Sequence, residues 1–186
     1  DDAVGVDADR VENFVRTAAQ NGAKIIVVPE TCFYRYSPWD NGSGVTIGDL
    51  AAQYDTLSTR FSALAEELGV CLVIGLREPH TADTVYNTAL FFGPDGAVLG
   101  KHHKVVPSIA ESEWTTAGTS AQAFETPYGR VGMLICKDLK SGNWYQAYND
   151  QNIDLFILIA GDSDGTSFTN FDDTCSGAGC YGILCN

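Results

Sequence analysis

Four stretches of this chain are apolar on almost every residue, and nothing else in the sequence narrows the fold as much. They cover residues 24–28 (KIIVV), 70–75 (VCLVIG), 131–135 (VGMLI) and 153–160 (IDLFILIA). A strand with one wet face alternates apolar and polar residues, whereas a strand buried on both faces reads as one apolar run. Each stretch is strand-sized, so each predicts a strand covered from both sides. The cover lies between them. Residues 7–21 carry Val11, Phe14, Val15, Ala18 and Ala19 at helical spacing, with Asn21-Gly22 as a stop. Residues 50–68 carry Leu57, Phe61, Leu64, Ala65 and Leu68 on one helical face, closed by Gly69. Helices alternating with fully apolar strands predict a layered α/β fold. Residues 84–92 read as a further strand, and the turn Pro94-Asp95-Gly96 leads into residues 98–101, which makes a hairpin. The sheets therefore cannot be purely parallel. Residues 31–48 are aromatic and turn-rich, which suits a loop over a pocket. Residues 102–118 read as irregular, 143–151 as a short helix, and 161–186 as a polar, Gly-rich tail with no clear period.

The length of 186 residues suits one domain or a large part of a bigger one. A hydrophobic share of 45% against 19% charged residues belongs to a globular chain rather than a disordered one. The net charge of −13 argues against a nucleic-acid partner, because phosphate binding needs a basic footprint. No apolar run is long enough to span a bilayer, so no membrane partner is expected. The chain opens on Asp1 and Asp2 with no basic or apolar leader, and its one methionine is Met133. The start is therefore expected to be processed, trimmed or incomplete, and the location cytoplasmic. Cys175, Cys180 and Cys185 cluster in the tail, and a disulfide among them would instead suit a secreted protein. No CxxC pair occurs, so no zinc site is expected.

Glu30, Lys104 and Cys136 each stand at or just beyond the end of an extended segment. Functional groups gather at the carboxyl ends of strands in layered α/β proteins. Their chemistry is complementary. A thiol is the strongest protein nucleophile near neutral pH when a base or a positive charge favours the thiolate. A carboxylate beside it can take its proton and later return that proton to a leaving amine. A fixed ammonium can hold the negative charge that grows on the substrate. These three groups suffice for acyl transfer from a carbon–nitrogen bond, with no metal or cofactor.

Three motifs built around those residues resemble the nitrilase superfamily of carbon–nitrogen hydrolases. KIIVVPE (24–30) is similar to the family's strand leading to a catalytic glutamate. VYNTALFFGPDGAVLGKHHKVVP (85–107) is similar to its hairpin leading to a catalytic lysine. GRVGMLICKD (129–138) is similar to its strand leading to a catalytic cysteine. The resemblance covers residues 7–160 and implies one domain over 1–186. The fold it implies is a nitrilase-like α-β-β-α sandwich of mixed sheets, incomplete at both ends. It further implies a homodimer or higher homo-oligomer acting on a small amide, carbamoyl compound or nitrile through a Cys thioester. By position, Glu30 would be the general base, Lys104 the transition-state stabiliser and Cys136 the nucleophile. Glu111 would be a second active-site glutamate, with Glu113 as its rival. The backbone N–H of Lys137 is a candidate oxyanion donor by analogy with other strand-to-turn nucleophiles. Tyr36 and Trp114 are candidate pocket walls.

Plainer readings stand beside these. Cys136 could be an ordinary buried cysteine, as Cys32 and Cys71 are expected to be. Glu30 could cap a helix or pair with Arg35. Lys104 lies in the run Lys101-His102-His103-Lys104, which could be a solvated loop. The adjacent histidines point in different directions in an extended chain, which disfavours a metal, but one of them could pair with Cys136. Around the same motifs, a catalytically inactive binding protein or an amine-acceptor acyltransferase is the alternative function.

Overall fold

The computed structural model describes residues 8–33, 45–140, 144–161 and 166–186. Helix α1 (Ala8–Gln20) leads into strand β1 (Ile25–Val27), and helix α2 (Ile47–Leu68) into β2 (Cys71–Pro79). Strands β3 (Val85–Phe92) and β4 (Val98–His103) form the expected hairpin, with an antiparallel register from Thr88↔His103 to Phe92↔Val98. Together β1-β2-β3-β4 make one mixed sheet, parallel only between β1 and β2. The second sheet is β5 (Phe124–Thr126), β6 (Gly129–Ile135), β7 (Leu155–Ile159) and β8 (Tyr181–Cys185), in that order. Its last three strands run parallel. Helix α3 (Lys137–Lys140), a 3-10 helix (Trp144–Gln151) and helix α4 (Thr166–Ala178) complete the chain.

The apolar strands are covered on both sides, as their composition requires. Cys71, Val73, Ala89 and Phe91 of the first sheet face Val131, Met133, Ile135, Leu155, Ile157 and Ile159 of the second. The opposite face of the first sheet packs Leu72, Ile74 and Leu90 against Val15 of α1 and Leu57, Phe61 and Leu64 of α2. The opposite face of the second sheet packs Leu134, Phe156 and Leu158 against Tyr148, Phe171 and Cys175. The layers are thus helix, sheet, sheet, helix. Burying each such large side chain contributes about 1.5–3 kcal/mol.

Local signals set the helix ends. Thr46 and Asp49 form a reciprocal capping box at the start of α2, and Gly69 closes it in the left-handed region at φ 61. The 161–186 tail is not irregular, which corrects the expectation from its composition. Phe171, Thr174 and Cys175 are buried at helical spacing on α4. Its end is a Schellman motif, with Cys180 N donating to Cys175 O (3.2 Å) and Gly179 N to Ser176 O (3.3 Å). The chain then adds β8 alongside β7, from Leu155↔Tyr181 to Ile159↔Cys185. β4 also runs two residues further than expected, through His103, which brings Lys104 to the strand's end.

Candidate active site

Glu30 follows β1 by three residues. Val28 extends the pairing by donating to Val73 O at 2.8 Å, and Pro29 then ends it. Thr31 lies at φ 48, an uncommon conformation for a β-branched residue, and this sharp turn aims Glu30 inward. Its carboxylate is buried and accepts three hydrogen bonds. Oε1 takes Lys104 Nζ at 2.7 Å and Asn87 Nδ2 at 2.8 Å, and Oε2 takes the backbone N–H of Gly161 at 2.8 Å. A carboxylate has about four acceptor sites, so the described donors leave one.

Lys104 is 1% exposed, and an ammonium buried that deeply needs compensation. Glu30 supplies one carboxylate and Glu111 the second, at 3.0 Å. Burial alone would push the Lys104 amine down. The charges of Glu30 and Glu111, the bond to Glu30 and the neighbouring Cys136 outweigh it and hold the amine above the ordinary lysine value. Lys104 is therefore a cation at neutral pH and cannot serve as a base. Among the described residues, two of its three N–H groups are taken by the glutamates, leaving one. Ser108 Oγ donates to Glu111 at 2.9 Å and steadies that carboxylate. Glu113, the rival to Glu111, is exposed.

Cys136 directly follows β6 at φ 46, in the left-handed region that side chains rarely adopt. Its N–H donates to Ile159 O at 2.9 Å, and α3 starts at the next residue. A strand that turns sharply into a helix exposes the intervening side chain. Glu30, Lys104, Glu111 and Cys136 all line one cavity of about 310 Å³, together with Arg77, Asn87 and others. Trp114 lines it too, with the Arg77 guanidinium 4.7 Å from its ring centre.

The remaining candidates fall as follows. Lys137 is not among the cavity-lining residues; as the first residue of α3 it has a backbone N–H beside Cys136. Tyr36 lies outside the described residues, with Tyr34, Arg35 and Trp39. His102 is buried with its Nε2 2.8 Å from Asp138, and His103 stacks on Tyr86 and pairs with Glu78. Neither ring lines the cavity, so the geometry gives no support to a cysteine–histidine pair. No group of three or more His, Cys, Asp or Glu that could hold a metal occurs among the described residues. No helix there is long and apolar enough to cross a membrane. A larger hollow of about 470 Å³ beneath α1 and β1 is lined by Val11, Phe14, Ile26 and Cys32. It is mainly apolar and holds no acid–base pair, and burial pushes the Cys32 thiol up to about 12. Cys32 therefore belongs to packing. Asn87 is a site residue that functional reasoning from sequence passed over. Its signal was a polar residue inside a strand otherwise buried.

Residues 6–170 match the family profile described as carbon-nitrogen hydrolase. Over 159 residues the chain is 35% identical to the omega-amidase NIT2 of Xenopus tropicalis, covering 80% of this chain and 55% of that protein. It is 30% identical to a bifunctional nitrilase/nitrile hydratase of Lupinus angustifolius, over 96% of this chain and 55% of that protein. The chain thus spans about half the length of these curated relatives. Among solved structures, an amidase from Nesterenkonia sp. superposes with a TM-score of 0.79 at 19% identity, covering 96% of this chain and 69% of that one. A carbon-nitrogen hydrolase from Helicobacter pylori G27 gives 0.76 at 20% identity, covering 95% and 66%. At these identities the superpositions establish the fold: two mixed sheets sandwiched between helices.

Proposed function

The chain belongs to the carbon-nitrogen hydrolase family, and from that premise we propose that it is a thiol-dependent hydrolase of small amides. The observation that carries this reading is the contact between Glu30 and Lys104. These residues lie 74 positions apart, meet at 2.7 Å, and line the cavity that Cys136 also lines. The cavity's volume is at the small end of the range for small-molecule sites, which favours a compact substrate.

The groups divide the work. Glu30, with one acceptor site open, takes the thiol proton as Cys136 Sγ attacks the carbonyl carbon. Negative charge moves to the substrate oxygen, where the remaining Lys104 N–H and the backbone N–H of Lys137 receive it. The carbon–nitrogen bond then breaks, the nitrogen leaves with the proton held by Glu30, and a thioester remains on Cys136. Water attacks the thioester and gives a proton to Glu30. The carbon–sulfur bond breaks, the thiolate recovers that proton, and a carboxylic acid departs. Glu111 and Asn87 hold Lys104 and Glu30 in place throughout, and Trp114 walls the cavity.

Ammonia or amine release from a panel of small amides, carbamoyl compounds and nitriles tests the proposal. Cys136→Ala should abolish release and leave the fold intact. Intact-mass analysis after iodoacetamide should find one adduct at Cys136. A folded protein that releases nothing, with or without Cys136, would instead be the binding protein of the alternative reading. Release that needs an added amine acceptor would make it an acyltransferase.

A further inference from the structure

The geometry points to Asp138 as a positioning residue that sets the spacing between Lys104 and Cys136, with His102 fixing its orientation. This rests on the roles proposed above for those two residues. The Asp138 side chain is fully buried, so water cannot satisfy it. Oδ1 accepts the backbone N–H groups of Val105 (2.9 Å) and Val106 (2.7 Å). Oδ2 accepts the N–H of Ile135 at 3.1 Å and lies 2.8 Å from His102 Nε2, the geometry of an imidazole N–H donating to a carboxylate. All of its acceptor sites are filled.

The donors come from β4, from the bend that follows it and from β6. His102 precedes Lys104 by two residues in β4, and Val105 and Val106 follow it directly. Ile135 immediately precedes Cys136 in β6. One carboxylate therefore grips the chain on either side of Lys104 and beside Cys136. The bond from Ile135 also closes the turn that keeps Cys136 at its positive φ. The Lys104 backbone is otherwise held by its own bond to Asn87 O and by the Gly118 N–H, both in or against the first sheet. Neither of those bonds reaches Cys136, so among the described residues Asp138 is a hydrogen-bonded link from the Lys104 segment to the Cys136 turn.

Asparagine at this position would keep the shape and change the polarity. Its amide nitrogen is a donor, so one end of the side chain would face N–H groups with another N–H. Either the Val105–Val106 grip or the Ile135–His102 grip is lost, and the two reacting groups drift relative to each other.

The test compares Asp138→Asn, His102→Leu and His102→Gln in turnover, KM, the rate of iodoacetamide alkylation at Cys136 and the urea unfolding midpoint. Charged groups facing the thiol in the cavity are Glu30, Lys104, Glu111 and Arg77, and all stay unchanged in these variants. Asp138→Asn and His102→Leu should lower kcat by about a hundredfold, the scale of a 1 Å misplacement, with KM little changed. Alkylation of Cys136 should slow in parallel. His102→Gln, whose amide N–H can still donate to Asp138, should recover most of both. A merely structural role would lower the midpoint without separating kcat from KM or glutamine from leucine. Where Asp138→Asn does not fold, the two His102 variants decide. Wild-type turnover and alkylation in folded Asp138→Asn, or identical behaviour of the two His102 variants, overturns the inference. A wild-type protein that alkylates at Cys136 but hydrolyses no amide overturns the functional reading alone, because the alkylation comparison still reports on positioning.

Discussion

A side chain on Gly75 would collide with the backbone that carries Glu30. A Cβ there would lie 3.0 Å from Glu30 Cα and 2.9 Å from both Pro29 O and Thr31 N. Gly75 sits inside β2, opposite Ala89, where a glycine ordinarily weakens a strand. Its use is close approach: the bare strand lets the Glu30 turn settle against it. Gly75→Ala should therefore destabilise, by about 1–3 kcal/mol, the scale of overpacking in a filled core. It should also lower turnover by at least about tenfold, because the displaced backbone moves the proposed base. Urea unfolding and ammonia release measure both. An alanine variant with wild-type activity would mean that the Glu30 turn yields without consequence.

Lys104 is compensated by two carboxylates, so removing it leaves the buried Glu30 and the partly buried Glu111 without their shared cation. Lys104→Met should cost about 3–5 kcal/mol and abolish turnover. The pH dependence has a definite sign. The folded amine is held above its unfolded value of about 10.4. Its stabilisation is then complete below that pH and is lost as pH rises through the folded value. Wild-type stability should fall more steeply than that of Lys104→Met above about pH 10.4. Parallel curves in thermal melts across that range would contradict the coupling.

Glu78 makes a second charged cluster, outside the cavity, with His103 at 2.8 Å, Thr88 Oγ1 at 3.1 Å and Lys101. Burial would push its carboxyl up, but the bonds from His103 and Lys101 and their charges outweigh burial and hold it at about 2. The stabilisation is present above the unfolded value of about 4.3 and is lost as pH falls from there towards 2. Because Lys101 is 43% exposed, solvent screening limits the contribution to about 1 kcal/mol. Glu78→Gln should lower the urea midpoint at neutral pH and match wild type near pH 2. Turnover, measured at neutral pH in the same samples, should be nearly unchanged.

What the sequence made legible follows from what side chains can encode. Strands buried on both faces announce themselves as apolar runs, so β1, β2, β6 and β7 were visible. β5 was not, because Phe124–Thr126 is short and half-buried and owes its place to pairing with β6. α4 carried a readable signal in Phe171, Thr174 and Cys175 at helical spacing before Gly179, but the many polar and glycine residues masked it. In the cavity, the ends of strands and the flanking motifs picked out Glu30, Lys104 and Cys136. The donor from Gly161 could not be anticipated, because a backbone N–H has no residue identity. Asp138 stood in plain view inside ICKD, yet only the fold shows that its four donors come from β4, from the bend that follows it and from β6.

The left-handed φ of Cys136 leads to a last expectation, in which glycine and alanine exchange their usual order. Both Cys136→Ala and Cys136→Gly remove the sulfur, so both should be inactive. At an ordinary backbone position alanine is the more stable of the two, by about 0.5–1 kcal/mol, because glycine loses more freedom on folding. At φ 46 a Cβ instead crowds the neighbouring carbonyl, at a cost of about 1–2 kcal/mol that glycine escapes. The two effects oppose each other, and the steric one is the larger. Cys136→Gly should therefore be as stable as Cys136→Ala or more so, by up to about 1.5 kcal/mol, in urea unfolding. Matched unfolding curves of the two inactive proteins decide it without any substrate. An alanine variant clearly the more stable would mean that the turn holding the thiol stores no strain, and that the exposure of the sulfur arises from the surrounding loops rather than from the backbone at Cys136 itself.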